Sequence, residues 1–216
     1  MQRSAGKISP DISSGMVVKI FGFDCSFNAI GWLCFALSEN RYFFIISGFI
    51  REEIGTSNLR IGIGHDTHRL GPGSSLRLGG VDLPHNRSLI GHSDADVLLH
   101  ALIDALLGAA AIGDIGQLFP NTDVKNADRD SVEMLKEVAC EVQQVGYQVV
   151  NVDCIVFADR PKIAPFGLEI RRSIATMLSV LPEAVGVKAK TGEGVGPVGR
   201  EEAISAQVVA LLEKKS

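Results

Sequence analysis

Residues 92–116 read H-S-D-A-D-V-L-L-H-A-L-I-D-A-L-L-G-A-A-A-I-G-D-I-G, and the fold is decided by this stretch. Its Leu- and Ala-rich body predicts the longest helix of the chain over 93–112, stopped by the glycines of G-D-I-G at 113–116. Ser93 is placed to cap that helix, with Asp96 three residues on at a capping-box position. His100 stands four residues from both Asp96 and Asp104, so the three share a helical face. Asp96 is better explained by the helix start than by chemistry.

Working outward, the upstream G-H-D-T-H at 64–68 follows the apolar run Ile61-Gly62-Ile63-Gly64. If that run is a strand, Asp66 and His68 point to one face. All five histidines of the protein fall between His65 and His100. A lone histidine is usually a core or surface residue. Two histidines and a carboxylate, however, form a three-ligand set with an open fourth position, as catalytic zinc uses.

The remaining pattern is α/β. Short strands are expected over 60–65 and 76–82, flanking the turn formers L-G-P-G-S-S, with an amphipathic helix over 129–145. Strands follow over Tyr147–Phe157 and Val185–Lys190, with a helix over Pro165–Val180 between them. Residues 203–212 fit a strand by alternation and a helix by composition.

Composition bounds the function. The chain is 46% hydrophobic and 21% charged with net charge -4 and no basic run, so no nucleic-acid partner is expected. Cys25, Cys34, Cys140 and Cys154 form no C-x-x-C pair and read as reduced thiols in a cytoplasmic or plastid-like compartment.

Residues 1–59 differ from the rest, holding Trp32 and seven of the ten phenylalanines. The uncharged run Cys25–Ser38 is shorter than the roughly 18 residues that suggest a membrane span, so no membrane partner is expected. Signal-peptide order is lacking, and acidic residues are as frequent as basic ones, unlike a transit peptide. An over-extended start, an atypical targeting sequence and a membrane-associating appendage remain open. The first is favoured because the pattern changes abruptly at Leu59-Arg60-Ile61.

From Arg60 to the C-terminus the chain resembles the 2-C-methyl-D-erythritol 2,4-cyclodiphosphate synthase family. The resemblance rests on the motifs at 64–68 and 92–116, L-F-P-N-T-D at 118–123, A-D-R-P-K at 158–162 and K-A-K-T-G-E-G-V-G-P-V-G-R at 188–200. It implies a mixed β-sheet with helices on one side, 203–212 as a strand, and a homotrimer with active sites between subunits. It implies conversion of 4-diphosphocytidyl-2-C-methyl-D-erythritol 2-phosphate to the cyclic diphosphate with release of CMP.

The same resemblance implies Zn²⁺ on Asp66, His68 and His100, and a second divalent cation, Mg²⁺ or Mn²⁺, on Glu193. His92 and Thr191 become the transition-state stabilisers. Ser93, Asp114, Ile115 and Gly116 become erythritol-side contacts, with Thr67 beside the zinc ligands. Phe119, Pro120, Asn121, Thr122 and Asp123 form a segment over that pocket. Ala158, Pro161 and Lys162 form the cytidine side, joined by Lys190 and Gly192, with Arg200 a phosphate or inter-subunit contact. Asn121, Pro197 and Lys190 depart from the family's frequent aspartate, phenylalanine and threonine. Two rival readings stand beside this one. A metal-dependent phosphohydrolase would yield linear products. A structural zinc protein would usually close its site with four ligands, often cysteine.

Overall fold

The computed structural model describes residues 58–120, 122–126 and 129–215, together with the backbone of four strands between 17 and 52. The chain divides into two compact units, Met1–Ser57 and Asn58–Ser216. In the first, β1 (Val17–Phe21), β2 (Leu33–Ser38), β3 (Arg41–Ile46) and β4 (Phe49–Glu52) pair antiparallel in sequential order. The run Cys25–Ser38 falls within the described residues only where it forms β2.

The second unit carries the helix and strand pattern read above. Its strands are β5 (Leu59–Pro72), β6 (Ser75–Leu78), β7 (Val81–Pro84), β8 (Arg87–Ile90), β9 (Tyr147–Phe157), β10 (Val185–Lys190) and β11 (Ala203–Lys214). Its helices are α1 (Val97–Ala110), α2 (Ile115–Leu118), α3 (Ser131–Gln144), α4 (Gly167–Leu178) and α5 (Gly196–Gly199). Five strands form one sheet in the order β10-β9-β11-β5-β8. Only β10 and β9 are parallel, joined through α4 as a parallel pair requires, so the sheet is mixed. Residues 203–214 are a strand, the β alternative of the ambiguous segment.

Helix α1 is the centre of the core. Leu98, Leu99, Leu102, Ile103 and Leu106 are fully buried, because the helix lies on β5 and β11 and is covered by α3. Strand β5 turns Gly62 and Gly64 toward α1 and leaves Ile61 and Ile63 exposed on the opposite face. Of the described cysteines, Cys140 is exposed and Cys154 buried, both free thiols; burial pushes the Cys154 thiol up to about 12.

Four local expectations are corrected. Helix α1 starts at Val97, capped by Asp96 and not by Ser93. The fully buried Asp96 carboxylate accepts hydrogen bonds from the backbone N–H of Leu99 (3.1 Å), Gly79 (2.9 Å) and Gly80 (2.7 Å). Ala95, at φ 59°, leaves the helical path just before it. At the other end the left-handed residue is Ala111, ahead of Gly113, with Ile112 N–H bonded back to Leu107 at 3.1 Å. Residues 76–82, read as one strand, are a hairpin: Gly79 (φ 62°) and Gly80 (φ 74°) supply the two positive dihedrals of a tight two-residue turn. Strand β5 also continues through Gly71 and Pro72 of the expected loop, pairing with β8.

Candidate metal centre and active site

Alternation along β5 sends Asp66 and His68 to the side that carries α1, and the first turn of α1 brings His100 down to meet them. Asp66 Oδ2, His68 Nε2 and His100 Nδ1 form a triangle with 3.0 Å edges. His68 is oriented from behind, its Nδ1 donating to the Ile90 carbonyl at 3.1 Å, which leaves the Nε2 lone pair facing the triangle. Gly91 permits that approach, since a Cβ there would stand 2.9 Å from His68 Cε1.

Burial alone would raise the Asp66 carboxyl, but hydrogen bonds from His100 and His68 outweigh it and hold the group well below the usual carboxylate range. Burial would likewise lower His68, yet its bond to Asp66 leaves it raised. Three lone-pair donors this close fit a cation. Tetrahedral ligands at zinc bond lengths stand roughly 3.3 Å apart, near the observed edge. Among the described residues these three are the one His/Cys/Asp/Glu group with such convergence.

The triangle opens on a cavity of about 210 Å³ that also brings together His92, Ser93, Ile115, Gly116 and Phe119. Sequence reasoning missed Asn126 and Met134 in its lining, and assigned no chemistry to Asp104, which also lines it. Asp104 accepts the Ile115 N–H at 2.8 Å and so ties α2 to α1 beside His100. Burial raises its carboxyl. Asp114 does not line the cavity; it caps α2 by accepting the Gln117 N–H at 2.8 Å. Phe119 is buried under the Arg129 guanidinium, 4.7 Å from its ring centroid. The Pro120 carbonyl accepts the side chain of Asn126 at 3.1 Å, and Thr122 and Asp123 are exposed. Asn121 lies outside the described residues. Thr67 projects to the other face of the sheet and bonds Ser205 Oγ at 2.8 Å.

The other expected residues gather at the ends of β9 and β10. The Ala158 N–H donates to the Lys190 carbonyl at 2.9 Å, joining the 158–162 and 190–193 loops. Pro161 is half-buried and Lys162 exposed in the first loop. In the second, Thr191 Oγ1 donates to Glu193 Oε1 at 2.6 Å, and Gly192 lies against the backbone of Gly199. Arg200 pairs with Glu202 at 2.8 Å. Lys190, Phe157, Ser205 and Thr67 are successive partners across the sheet. Three strand spacings put this cluster roughly 14 Å from β5, which carries Asp66 and His68, within one chain.

A mixed sheet with helices on it and a two-histidine, one-aspartate donor set opening on a cavity defines a candidate metal-site α/β protein. The chain belongs to the YgbB family, whose model matches residues 59–213. It is 53% identical over 156 residues to the 2-C-methyl-D-erythritol 2,4-cyclodiphosphate synthase of Syntrophomonas wolfei, covering 72% of this chain and 99% of that one. To the synthase of Salinibacter ruber it is 54% identical over 155 residues, covering 72% and 99%. Among solved structures it is similar to IspF of Plasmodium falciparum in its CDP complex, with TM-score 0.65 and 33% identity over 74% of this chain and 98% of that one. The resemblance read from the separated motifs is borne out. No helix among the described residues is long and apolar enough to cross a membrane.

Proposed function

We propose that this chain is a 2-C-methyl-D-erythritol 2,4-cyclodiphosphate synthase of isoprenoid precursor biosynthesis. It converts 4-diphosphocytidyl-2-C-methyl-D-erythritol 2-phosphate to the cyclic diphosphate and CMP. The observation that carries this reading is the triangle of Asp66, His68 and His100 at the mouth of a cavity, in a chain about half identical to synthases along nearly their whole length.

Asp66, His68 and His100 hold Zn²⁺, and Glu193 holds a second divalent cation, Mg²⁺ or Mn²⁺. Bound there, the cations neutralise phosphate oxygens that would otherwise repel one another. The protein's own part is positioning and hydrogen bonding, as phosphoryl transfer demands. The 2-phosphate oxygen attacks the β-phosphorus while the bond to the CMP oxygen breaks. His92 and Thr191 donate hydrogen bonds to phosphate oxygens as charge shifts. Ser93, Ile115 and Gly116 orient the erythritol, with Asp114 next to them at the cap of α2, the Thr67 backbone between Asp66 and His68, and 119–123 over the pocket. Ala158, Pro161 and Lys162 take the cytidine side with Lys190 and Gly192, and Arg200 lies on a phosphate or a neighbouring subunit.

A homotrimer accounts for two features of the single chain. The cytidine-side cluster stands roughly 14 Å along the sheet from the metal strand. The sheet face away from the helices exposes Ile61 (73%), Ile63 (62%) and Val209 (41%), an apolar stripe that a second copy would cover. Phosphorus NMR of the full chain with Zn²⁺, Mg²⁺ and the diphosphocytidyl substrate tests the reaction. Cyclic diphosphate and CMP, lost in His68→Ala, are expected; linear phosphate products would instead favour a phosphohydrolase.

A further inference from the structure

His100 has a second side that the reaction above does not use. Its Nε2 stands 2.9 Å from Ser131 Oγ and 3.1 Å from Ser93 Oγ, away from the metal triangle. Ser131, fully buried, is the first residue of α3. Its hydroxyl is hydrogen-bonded to Asp94 Oδ1, and its N–H donates to Asp94 Oδ2 at 3.2 Å. Arg77 holds the carboxylate from the other side, with Nε 3.4 Å from Asp94 and Nη2 3.4 Å from Asp130, the cap of α3.

The direction of this chain follows from what each group can do. A carboxylate only accepts, so the Ser131 hydroxyl hydrogen goes to Asp94. The Ser131 oxygen then presents lone pairs to His100. Ser93 Oγ already accepts the Ala95 N–H at 3.3 Å and can accept again. With a cation among the three donors, the hydrogen of His100 therefore sits on Nε2 and the Nδ1 lone pair faces inward; without one, Asp66 Oδ2, 3.0 Å away, competes for a hydrogen on Nδ1. His68 is set the opposite way, with its hydrogen on Nδ1 toward the Ile90 carbonyl. The two imidazoles thus need opposite tautomers, and each has its own partner to impose one.

We propose that Asp94 and Ser131 are positioning residues for the metal centre, locking His100 in the tautomer and rotamer that present Nδ1 to the ion. This rests on the metal reading of the triangle. It gives α3 a role in the site, since Asp94 takes both the N–H and the hydroxyl of Ser131 and so ties the first turn of the helix to His100. A purely structural role for the pair would affect folding without changing the His100 ring.

Full-length protein labelled with ¹⁵N-histidine reports, in its zinc-loaded form, which ring nitrogen carries the hydrogen, and competition with a chromophoric chelator reports zinc affinity. Two variants are compared with the parent. Ser131→Ala removes the hydroxyl. Asp94→Asn keeps the volume, but its amide can donate to the hydroxyl as well as accept, so the polarity of the chain is no longer imposed. The zinc-loaded parent is expected to show His100 with its hydrogen on Nε2, slow to exchange with solvent because Ser131 holds it. Both variants are expected to lose the protection of that hydrogen from exchange and to bind zinc about 10–100-fold more weakly, the usual effect of losing such a partner. Should Ser131→Ala fail to fold, Asp94→Asn decides. Zinc affinity within about twofold of the parent in a folded variant overturns the proposal. A parent that binds no zinc overturns the metal reading itself.

Discussion

Gly64 of β5 and Ala101 of α1 meet backbone to backbone: a Cβ on Gly64 would lie 1.9 Å from the Ala101 carbonyl oxygen and 2.7 Å from Ala105 N. The contact sits two residues before Asp66 on the strand and one residue after His100 on the helix. The spacing of the candidate metal ligands is therefore set by the absence of a side chain at 64. Gly62 repeats the arrangement, where a Cβ would lie 2.0 Å from the Ala105 carbonyl oxygen.

Gly64→Ala is expected to push α1 off the sheet, because the obstacle is backbone and cannot rotate away. Overpacking of this kind costs about 1–3 kcal/mol, and the donor triangle should open with it. Chemical denaturation and chelator competition on the same protein should show stability and zinc affinity falling together. Unchanged zinc affinity in the variant would detach the site from this contact.

Asp96→Asn should destabilise the fold although it changes little volume. The carboxylate accepts three backbone N–H bonds on two oxygens, and an amide nitrogen in place of one oxygen would face a donor. Burial raises the Asp96 carboxyl, with the three N–H bonds opposing the shift, so this site is held by hydrogen bonding against desolvation. Bonds to charged groups contribute about 1.5–3 kcal/mol each, and a loss of that order in denaturation midpoint is expected. A variant as stable as the parent would show that the hairpin 75–84 does not depend on this anchor.

Metal-free protein should have a stability optimum at mildly acidic pH. Asp66 is lowered on folding, so its contribution is present above the ordinary carboxylate range and lost as pH falls through the lowered value. His68 is raised, so its contribution is complete below the ordinary histidine value and lost as pH rises through the raised one. The window between is roughly pH 4.5–6. Metal reverses the alkaline limb, because it binds the unprotonated imidazole and gains affinity as pH rises. Urea titrations across pH, with chelator and with zinc, should give opposite slopes above pH 6.5, and His68→Ala should flatten both. Parallel slopes would show that metal does not compete for the same ring.

Much of this architecture was legible because local pattern and tertiary role agree. β9 is rich in β-branched residues, and β10 pairs along its whole predicted length with the second half of β9. α1 carries the apolar run that the core needs on every side. Asp66 and His68 share a face because strands alternate, whatever surrounds them. The misreadings fall where a distant partner decides. Ser93 has the better sequence position for a cap, but Asp96 is chosen by Gly79 and Gly80, sixteen or more residues earlier. The hairpin was hidden because Gly79-Gly80 sits inside one alternating run. Ser131 lies inside the helix expected over 129–145, and only the fold places it against His100, 31 residues away in sequence.

The most direct test is a zinc titration of metal-free full-length protein in excess Mg²⁺, following CMP release from the diphosphocytidyl substrate. The account predicts no release in chelator, a linear rise with added zinc, saturation at one zinc per chain, and no response in His68→Ala. Full turnover in chelated protein, or none at saturating zinc, would contradict it.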